Sequence, residues 1–300
     1  MKKWFVVLLA FLVLLLACLY IFIPGTVSIQ EQKAFSGNAH ILYRVVMNAQ
    51  APFWKQDNKL SYNGRQYRIV DQKLNSLIID IDGIPSQLNF ISAEADSVTF
   101  TWQMRIPMPV SPFSRVSSYN SVKGLKKDID TLLAQMQAYG ANADRVYGRH
   151  IEEAHVRDSI LLFTYGETEG YPSIPYIYRL IDELKAYTAS QSANITGPSM
   201  LHITTDDSVH FLTKVALPVD KRLKSFGKIS YKWMLGGGNI LVTDVHGGPW
   251  AIQQAYMELD KYADDHQRVA PAIPFESLLT DRLQEKDTSK WVTRIYYPVM

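Results

Sequence analysis

Pro274-Phe275-Glu276-Ser277-Leu278-Leu279-Thr280-Asp281 repeats, seventy-five residues later, the register of Ser199-Met200-Leu201-His202-Ile203-Thr204-Thr205-Asp206. The same offset carries Glu183-Leu184-Lys185-Ala186-Tyr187 onto Glu258-Leu259-Asp260-Lys261-Tyr262, Ile177 onto Ile252 and Ile181 onto Tyr256. A five-residue insertion follows, after which Leu217-Pro218-Val219 meets Tyr297-Pro298-Val299. Within this duplicated frame one position breaks the match: Leu201 in the first copy is Glu276 in the second. Two similar units that face each other enclose a pocket, and Glu276 would place a single negative charge in it.

Each copy reads strand, helix, strand, strand. In the first, apolar runs and periodicity predict a strand over Ser159–Thr164, a helix over Pro175–Ala189, and strands over Ser199–Thr204 and Val209–Leu217. In the second they predict a strand over Asn239–Val245, a helix over Pro249–Asp264, and strands over Phe275–Leu279 and Trp291–Tyr297. The helical stripes correspond: Ile177, Leu180, Ile181, Leu184 and Tyr187 against Ile252, Ala255, Tyr256, Leu259 and Tyr262. Residues 221–233 link the copies, and Gly236-Gly237-Gly238 opens the second. The glycines are a turn and not a phosphate loop, because no lysine–serine/threonine follows and the stretch leads into a strand. The duplicated domain covers 148–300, with repeats at about 155–219 and 238–300.

Residues 26–145 form a separate domain. Thr26–Lys33 reads as a strand and Asn38–Met47 as a short helix capped by Ser36 or Asn38. Strands are predicted at Gln66–Val70, Ser76–Ile81 and Val98–Met104, with turn signals at Asn63-Gly64 and Asp82-Gly83. Met104–Pro112 is proline-rich and extended. Ser121–Tyr139 is an amphipathic helix with Val122, Leu125, Ile129, Leu132, Leu133 and Met136 on one stripe. This order, with a Trp54-bearing loop after the first helix, resembles the helix-grip, START-like (SRPBCC or polyketide-cyclase-like) fold, which implies a curved sheet wrapped around the last helix.

Composition limits the function classes. The chain is 47% hydrophobic and 20% charged, as ordinary packed domains are. Its net charge of +2 is matched by Lys2 and Lys3 alone. A neutral body argues against a nucleic-acid partner, which needs clustered Lys and Arg. The single cysteine, Cys18, leaves the body without a disulfide or thiolate nucleophile. No histidine pair has zinc-protease spacing, so no metal and no cofactor is expected.

Cys18 lies in an uncharged run from Trp4 to Ile23, closed by Pro24-Gly25. About 20 apolar residues suffice to cross a ~30 Å hydrocarbon core. Cleaved signals have shorter apolar regions of about 7–15 residues, so residues 1–24 read as an uncleaved signal anchor, inserted through residues 4–23. Leu15-Leu16-Ala17-Cys18 offers a lipoprotein alternative, with Leu16 a poor fit. Lys2 and Lys3 would stay cytoplasmic, which puts the body outside the inner membrane of a bacterial cell, in the periplasm of a Gram-negative one.

Gly236–Val242, His246-Gly247-Gly248-Pro249-Trp250, Pro274–Asp281 and Trp291–Val299 together resemble the GyrI-like small-molecule-binding domain, the effector module of AraC- and MerR-type regulators. The resemblance implies a pseudo-twofold sheet with a ligand cleft between the copies and a cleft-facing glutamate at Glu276. This chain has Trp250 where the family usually has Tyr, and Arg294 and Tyr296 where it often has acidic or polar residues. The family's DNA-reading helix-turn-helix is missing. The full reading is therefore an α+β chain: an N-terminal transmembrane helix, a helix-grip domain and a duplicated strand-helix-strand-strand domain.

The candidate ligand-binding residues are Glu276, Trp250, Tyr296, Phe275 and Trp291. Alternation puts Ile295 and Tyr297 on one face of the last strand and Arg294 and Tyr296 on the other. Helices take the apolar pair, so Tyr296 is expected to share a face with Glu276. Trp250 reads as a pocket wall or as a staple onto its own helix, and Trp291 as a core cap or a ligand contact. Enclosure in an apolar site would raise the pKa of Glu276, unless a ligand cation or Arg294 offsets it. Three functions follow. One is capture of a small amphipathic or aromatic ligand, with no catalytic residue. Another is hydrolysis of reactive small molecules with Glu276 as general base, as the resemblance also allows. The third is a protein-interaction module with degenerate pockets.

Overall fold

The computed structural model describes residues 2–36, 39–47, 58–94, 97–157, 159–234 and 236–300. The chain divides into two compact units, Met1–Val146 and Tyr147–Met300. Asn38 and the Trp54-bearing loop lie outside the described residues.

The first unit begins with helix α1 (Lys2–Phe22), whose segment Lys3–Phe22 is long and apolar enough to cross a membrane and is not buried against the rest of the chain. Strand β1 (Thr26–Ser36) and helix α2 (Ala39–Met47) follow. A meander of β2 (Lys59–Tyr62), β3 (Arg65–Lys73), β4 (Ser76–Ile81), β5 (Ile84–Glu94) and β6 (Ser97–Pro107) completes a six-stranded antiparallel sheet in the order β1-β6-β5-β4-β3-β2. Two of its hairpins turn on Asn63-Gly64 and Asp82-Gly83. In both pairs each residue has positive φ (48° and 77°, 51° and 87°), as a two-residue type I′ turn requires. β5 is not among the strands expected from the sequence, although Leu88 and Phe90 alternate with Gln87 and Asn89 after the Asp82-Gly83 turn.

Helix α3 (Pro112–Gly140) packs on β1 and α2. It buries Val122, Leu125, Ile129, Leu132, Leu133 and Met136, the stripe expected from the sequence. It begins nine residues before the predicted Ser121. Pro112 suits a first helical position, where its missing N–H costs nothing. The turns up to Asn120 have no apolar stripe, and Phe113 is exposed. Opposite α3 lie Tyr67, Leu88, Phe100 and Trp102, all fully buried. Trp102 Nε1 donates to Ser86 Oγ (3.0 Å), which donates to the Ile79 carbonyl (2.7 Å), so this buried polar chain is satisfied.

The second unit follows a short helix α4 (Ala143–Tyr147). It contains β7 (Glu152–His155), then β8 (Ser159–Glu169), α5 (Ile174–Ser190), β9 (Met200–Thr205) and β10 (His210–Val219). After β11 (Ser230–Met234) come β12 (Asn239–His246), α6 (Pro249–Asp265), β13 (Phe275–Leu278) and β14 (Val292–Val299). These strands form one eight-stranded antiparallel sheet in the order β11-β8-β10-β9-β13-β14-β12-β7. The copies meet at β9 and β13, where Leu201 pairs directly with Glu276. The pseudo-twofold axis therefore passes through the one pair at which the copies differ most in polarity.

The strand β7 precedes the first copy but pairs with β12 of the second, Ala154 opposite Ile240. The strand β11 precedes the second copy but pairs with β8 of the first, Lys232 opposite Leu161. Leu161 and Ile240 are equivalent positions, since the pair Leu162–Leu217 corresponds to Leu241–Tyr297. Each copy thus lends a leading strand to the far edge of the other. β11 falls largely within the segment 221–233 expected as a linker.

Both helices cover the same sheet face. α5 lies over β8 and β10 and buries Ile177, Leu180, Ile181 and Leu184 against Leu162, Val215 and Leu217. α6 lies over β12 and β14 and buries Ile252, Ala255 and Leu259. Fully burying one such side chain contributes about 1.5–3 kcal/mol. The central strands β9 and β13 lie between the two helices.

Candidate functional site

Glu276 is the second residue of β13, in the centre of the sheet, and only 7% exposed. Its cross-strand neighbours are Leu201 and Ile295, both buried. Directly paired residues share a sheet face, so the carboxylate points to the helix-bearing side, between α5 and α6.

A carboxylate in that setting needs a partner, and Arg282 supplies it from the segment after β13. Arg282 is 5% exposed, and its Nη2 lies 3.2 Å from Glu276 Oε2 and 2.8 Å from Thr293 Oγ1. Its guanidinium stacks 4.8 Å from the Trp291 ring centroid. Its backbone N–H donates to the Tyr178 hydroxyl at 2.7 Å, so a tyrosine on the first copy's helix positions the second copy's cation. Trp291 is fixed in turn by its indole N–H on the Glu285 carbonyl (2.9 Å).

Burial pushes the Glu276 pKa above its ordinary value, and the charge and hydrogen bond of Arg282 pull back against that rise. Nearby tyrosines feel the same carboxylate. Tyr256 on α6 is raised first by burial, then by Glu276 and Tyr171. Tyr171, more than half exposed as a residue, is raised by burial and then by Glu276, with Arg282 opposing. Tyr171 also packs edge-on against Phe211, with centroids 5.7 Å apart. The floor between the helices is therefore a buried ion pair, with Tyr171, Tyr178, Tyr256 and Trp291 around it.

The five predicted site residues do not converge. Glu276 and Trp291 come together through Arg282. Phe275 and Tyr296 pair across β13 and β14 and stack at 5.0 Å with planes 20° apart. They occupy the opposite sheet face, so the expectation that Tyr296 accompanies Glu276 is corrected. Glu276 lies opposite Ile295 and so joins the helix side that Ile295 and Tyr297 take. Trp250 stands 73% exposed in the first turn of α6. Arg294 does not offset Glu276 either: it holds Asp244 through two contacts of 2.7 and 2.8 Å.

Arg282 is the residue the sequence reading missed. Its signal lay one residue past the matched Thr205-Asp206 and Thr280-Asp281, where Asp207 of the first copy becomes Arg282 of the second. A charge reversal beside a new carboxylate is the pattern that would have found it. Among the described residues, no cluster of three or more His, Cys, Asp or Glu could hold a metal ion.

No protein-family model matches the chain, and no curated protein does. Among solved structures it is similar to the C-terminal domain of EcmrR, at 14% identity and a TM-score of 0.44, covering 51% of this chain and 98% of that one. It is similar to a hydrolase from Listeria innocua at 14% identity and a TM-score of 0.40, covering 51% and 92%. It is also similar to SAV2435, solved bound to tetraphenylphosphonium, at 16% identity and a TM-score of 0.33, covering 50% and 94%. Likenesses of this size name neither a ligand nor a reaction for this chain.

Proposed function

We propose that this chain is a membrane-anchored small-molecule-binding protein. Its cleft between α5 and α6 takes an amphipathic or aromatic ligand that the Glu276 carboxylate orients. The observation that carries this reading is a buried, nearly solvent-free carboxylate on the axis of a duplicated sheet, ringed by aromatic side chains. Aromatic walls supply apolar area for affinity and one polar group fixes orientation. Arg282 already balances the charge of Glu276, which favours neutral or zwitterionic ligands over simple cations. A cation would have to displace the guanidinium before meeting the carboxylate.

In the same proposal, α1 anchors the chain in the inner membrane with the body on the extracytoplasmic side, and residues 26–145 form a helix-grip, START-like domain. The long helix α3 packed on an antiparallel sheet supports that second assignment. A hydrolase reading rests on the raised pKa of Glu276, which suits a general base better than an ordinary carboxylate does.

The test is a thermal-shift screen of residues 25–300 against aromatic metabolites, neutral and zwitterionic amphiphiles and amphipathic cations, run beside Glu276→Gln. A ligand at a hundredfold excess over Kd stabilises by about 2.7 kcal/mol. The expected result is a hit that Glu276→Gln weakens, with the ligand recovered intact. Recovery of a cleaved product would move the assignment to the hydrolase. Hits indifferent to Glu276→Gln would refute the cleft.

A further inference from the structure

The sheet face opposite α5 and α6 carries an open hollow. Its volume is about 1110 Å³, beyond the usual range of about 300–1,000 Å³ for small-molecule pockets. It crosses from the first copy to the second, over Phe163, Met200, Phe275, Ile240 and Pro298, and Pro271–Ile273 also line it. Cross-strand pairing places these side chains on one face: Ala216 is paired with both Phe163 and Met200, and Ile240 with Pro298.

The polar groups of the hollow are one-sided. Lys214 and Lys232 line it, and no aspartate or glutamate does. Lys214 is half-buried, yet its ammonium has no carboxylate and no hydrogen-bond acceptor among the described residues. Its neighbour across the strand pair is His202, whose pKa is lowered by burial and by Lys214, with a hydrogen bond to the Pro274 backbone opposing. Burial and Lys214 both act against a charge on His202. A half-buried ammonium beside an extended apolar track leaves charge and apolar surface both unmatched.

We infer that this open-face groove is a binding site for a long-chain fatty carboxylate, its head group on Lys214 and its alkyl chain laid along Met200, Phe275 and Pro298. An alkyl chain covers the apolar track without needing donors or acceptors. A carboxylate supplies the missing counter-charge and no cation does. Lys232, exposed on the edge strand β11, adds a second positive charge along the same lining.

The proposal is tested with the full chain in phosphatidylcholine nanodiscs, photo-labelled with palmitate bearing a diazirine in its alkyl chain, with adducts mapped by mass spectrometry. Adducts are expected on peptides containing Phe163, Met200 or Phe275. Excess palmitate should suppress them about tenfold or more, and hexadecyltrimethylammonium should not. Lys214→Glu should reduce labelling about tenfold while Lys214→Arg retains it. A ligand that stabilises the chain through the cleft in the thermal-shift screen should not suppress these adducts, which separates this site from the cleft. Equal competition by the cationic amphiphile would overturn the inference, as would labelling indifferent to Lys214→Glu. Adducts confined to other surfaces, or a groove sealed by a second copy of the chain and cross-linked to it, would overturn it as well.

Discussion

The two copies of the second unit run strand for strand, but at two of three neighbouring positions they made opposite choices, and the third, a threonine in both, is used differently. The first copy has Leu201, Asp207 and Thr213; the second has Glu276, Arg282 and Thr293. In the first, Leu201 is buried in an apolar core, and Asp207 stays on the surface, closing a turn by accepting from the backbone N–H groups of Val209 and His210 (2.8 and 2.7 Å). Thr213 keeps a buried hydroxyl with no partner among the described residues. In the second, the aspartate's counterpart has turned inward as a cation that joins the new carboxylate to the equivalent threonine. The difference is a set of coupled changes. A carboxylate at Leu201's equivalent is tolerable because the arginine came with it and found the threonine that both copies share.

The comparison breaks most sharply at Arg282→Met. Removing one partner of a buried pair costs about 3–5 kcal/mol, and urea unfolding followed by amide exchange on β13 should register a loss of that order. The loss should depend on pH. A carboxyl whose folded pKa is raised binds a proton more readily when folded, so its ionisation subtracts stability as pH rises from the ordinary value of 4.5 through the folded pKa. Without Arg282 that pKa rises further, and the deficit should be largest at pH 8 and shrink toward pH 5. A pH-independent loss would mean that packing around Trp291, and not charge, explains it.

A second experiment makes the second copy resemble the first. Glu276→Leu combined with Arg282→Met replaces a buried ion pair with apolar side chains, a change often neutral or stabilising by about 1–4 kcal/mol. Denaturant midpoints should stay level or rise while cleft binding is lost. A large destabilisation would show that the pair is needed for the fold itself. The smallest contrast compares the threonines. Thr293→Val removes an acceptor from a buried guanidinium and should cost about 1–3 kcal/mol. Thr213→Val removes an unpartnered hydroxyl and should cost less than about 1 kcal/mol or stabilise. Equal effects would erase the distinction drawn between the copies.

Much of the architecture was legible from periodicity. The stripe of α3 and the matching stripes of α5 and α6 are local patterns, and they locate the helices because one face of each must be buried. The Asn-Gly and Asp-Gly turns were legible for a similar local reason. What local pattern does not encode is which strands pair and in what register. The face taken by Glu276 depends on β13 lying between β9 and β14, and one step of register decides between the ion pair and the aromatic stack of Phe275 with Tyr296. The start of α3 escaped because its first turns bury no stripe. The strands β7 and β11 escaped because they are short edge strands with partners far away in sequence. Arg282 escaped because a lone cation in a loop has no periodicity at all.

The exchange of leading strands has a consequence for symmetry. A single copy, expressed alone, would lack one edge of its sheet and could recover it only by trading strands with a twin, in a closed two-fold dimer. Such a dimer presents every residue to the axis twice. It could set leucine against leucine there, or carboxylate against carboxylate with mutual repulsion, but never one of each. Joining the copies in one polypeptide is what permits a single charge on the axis.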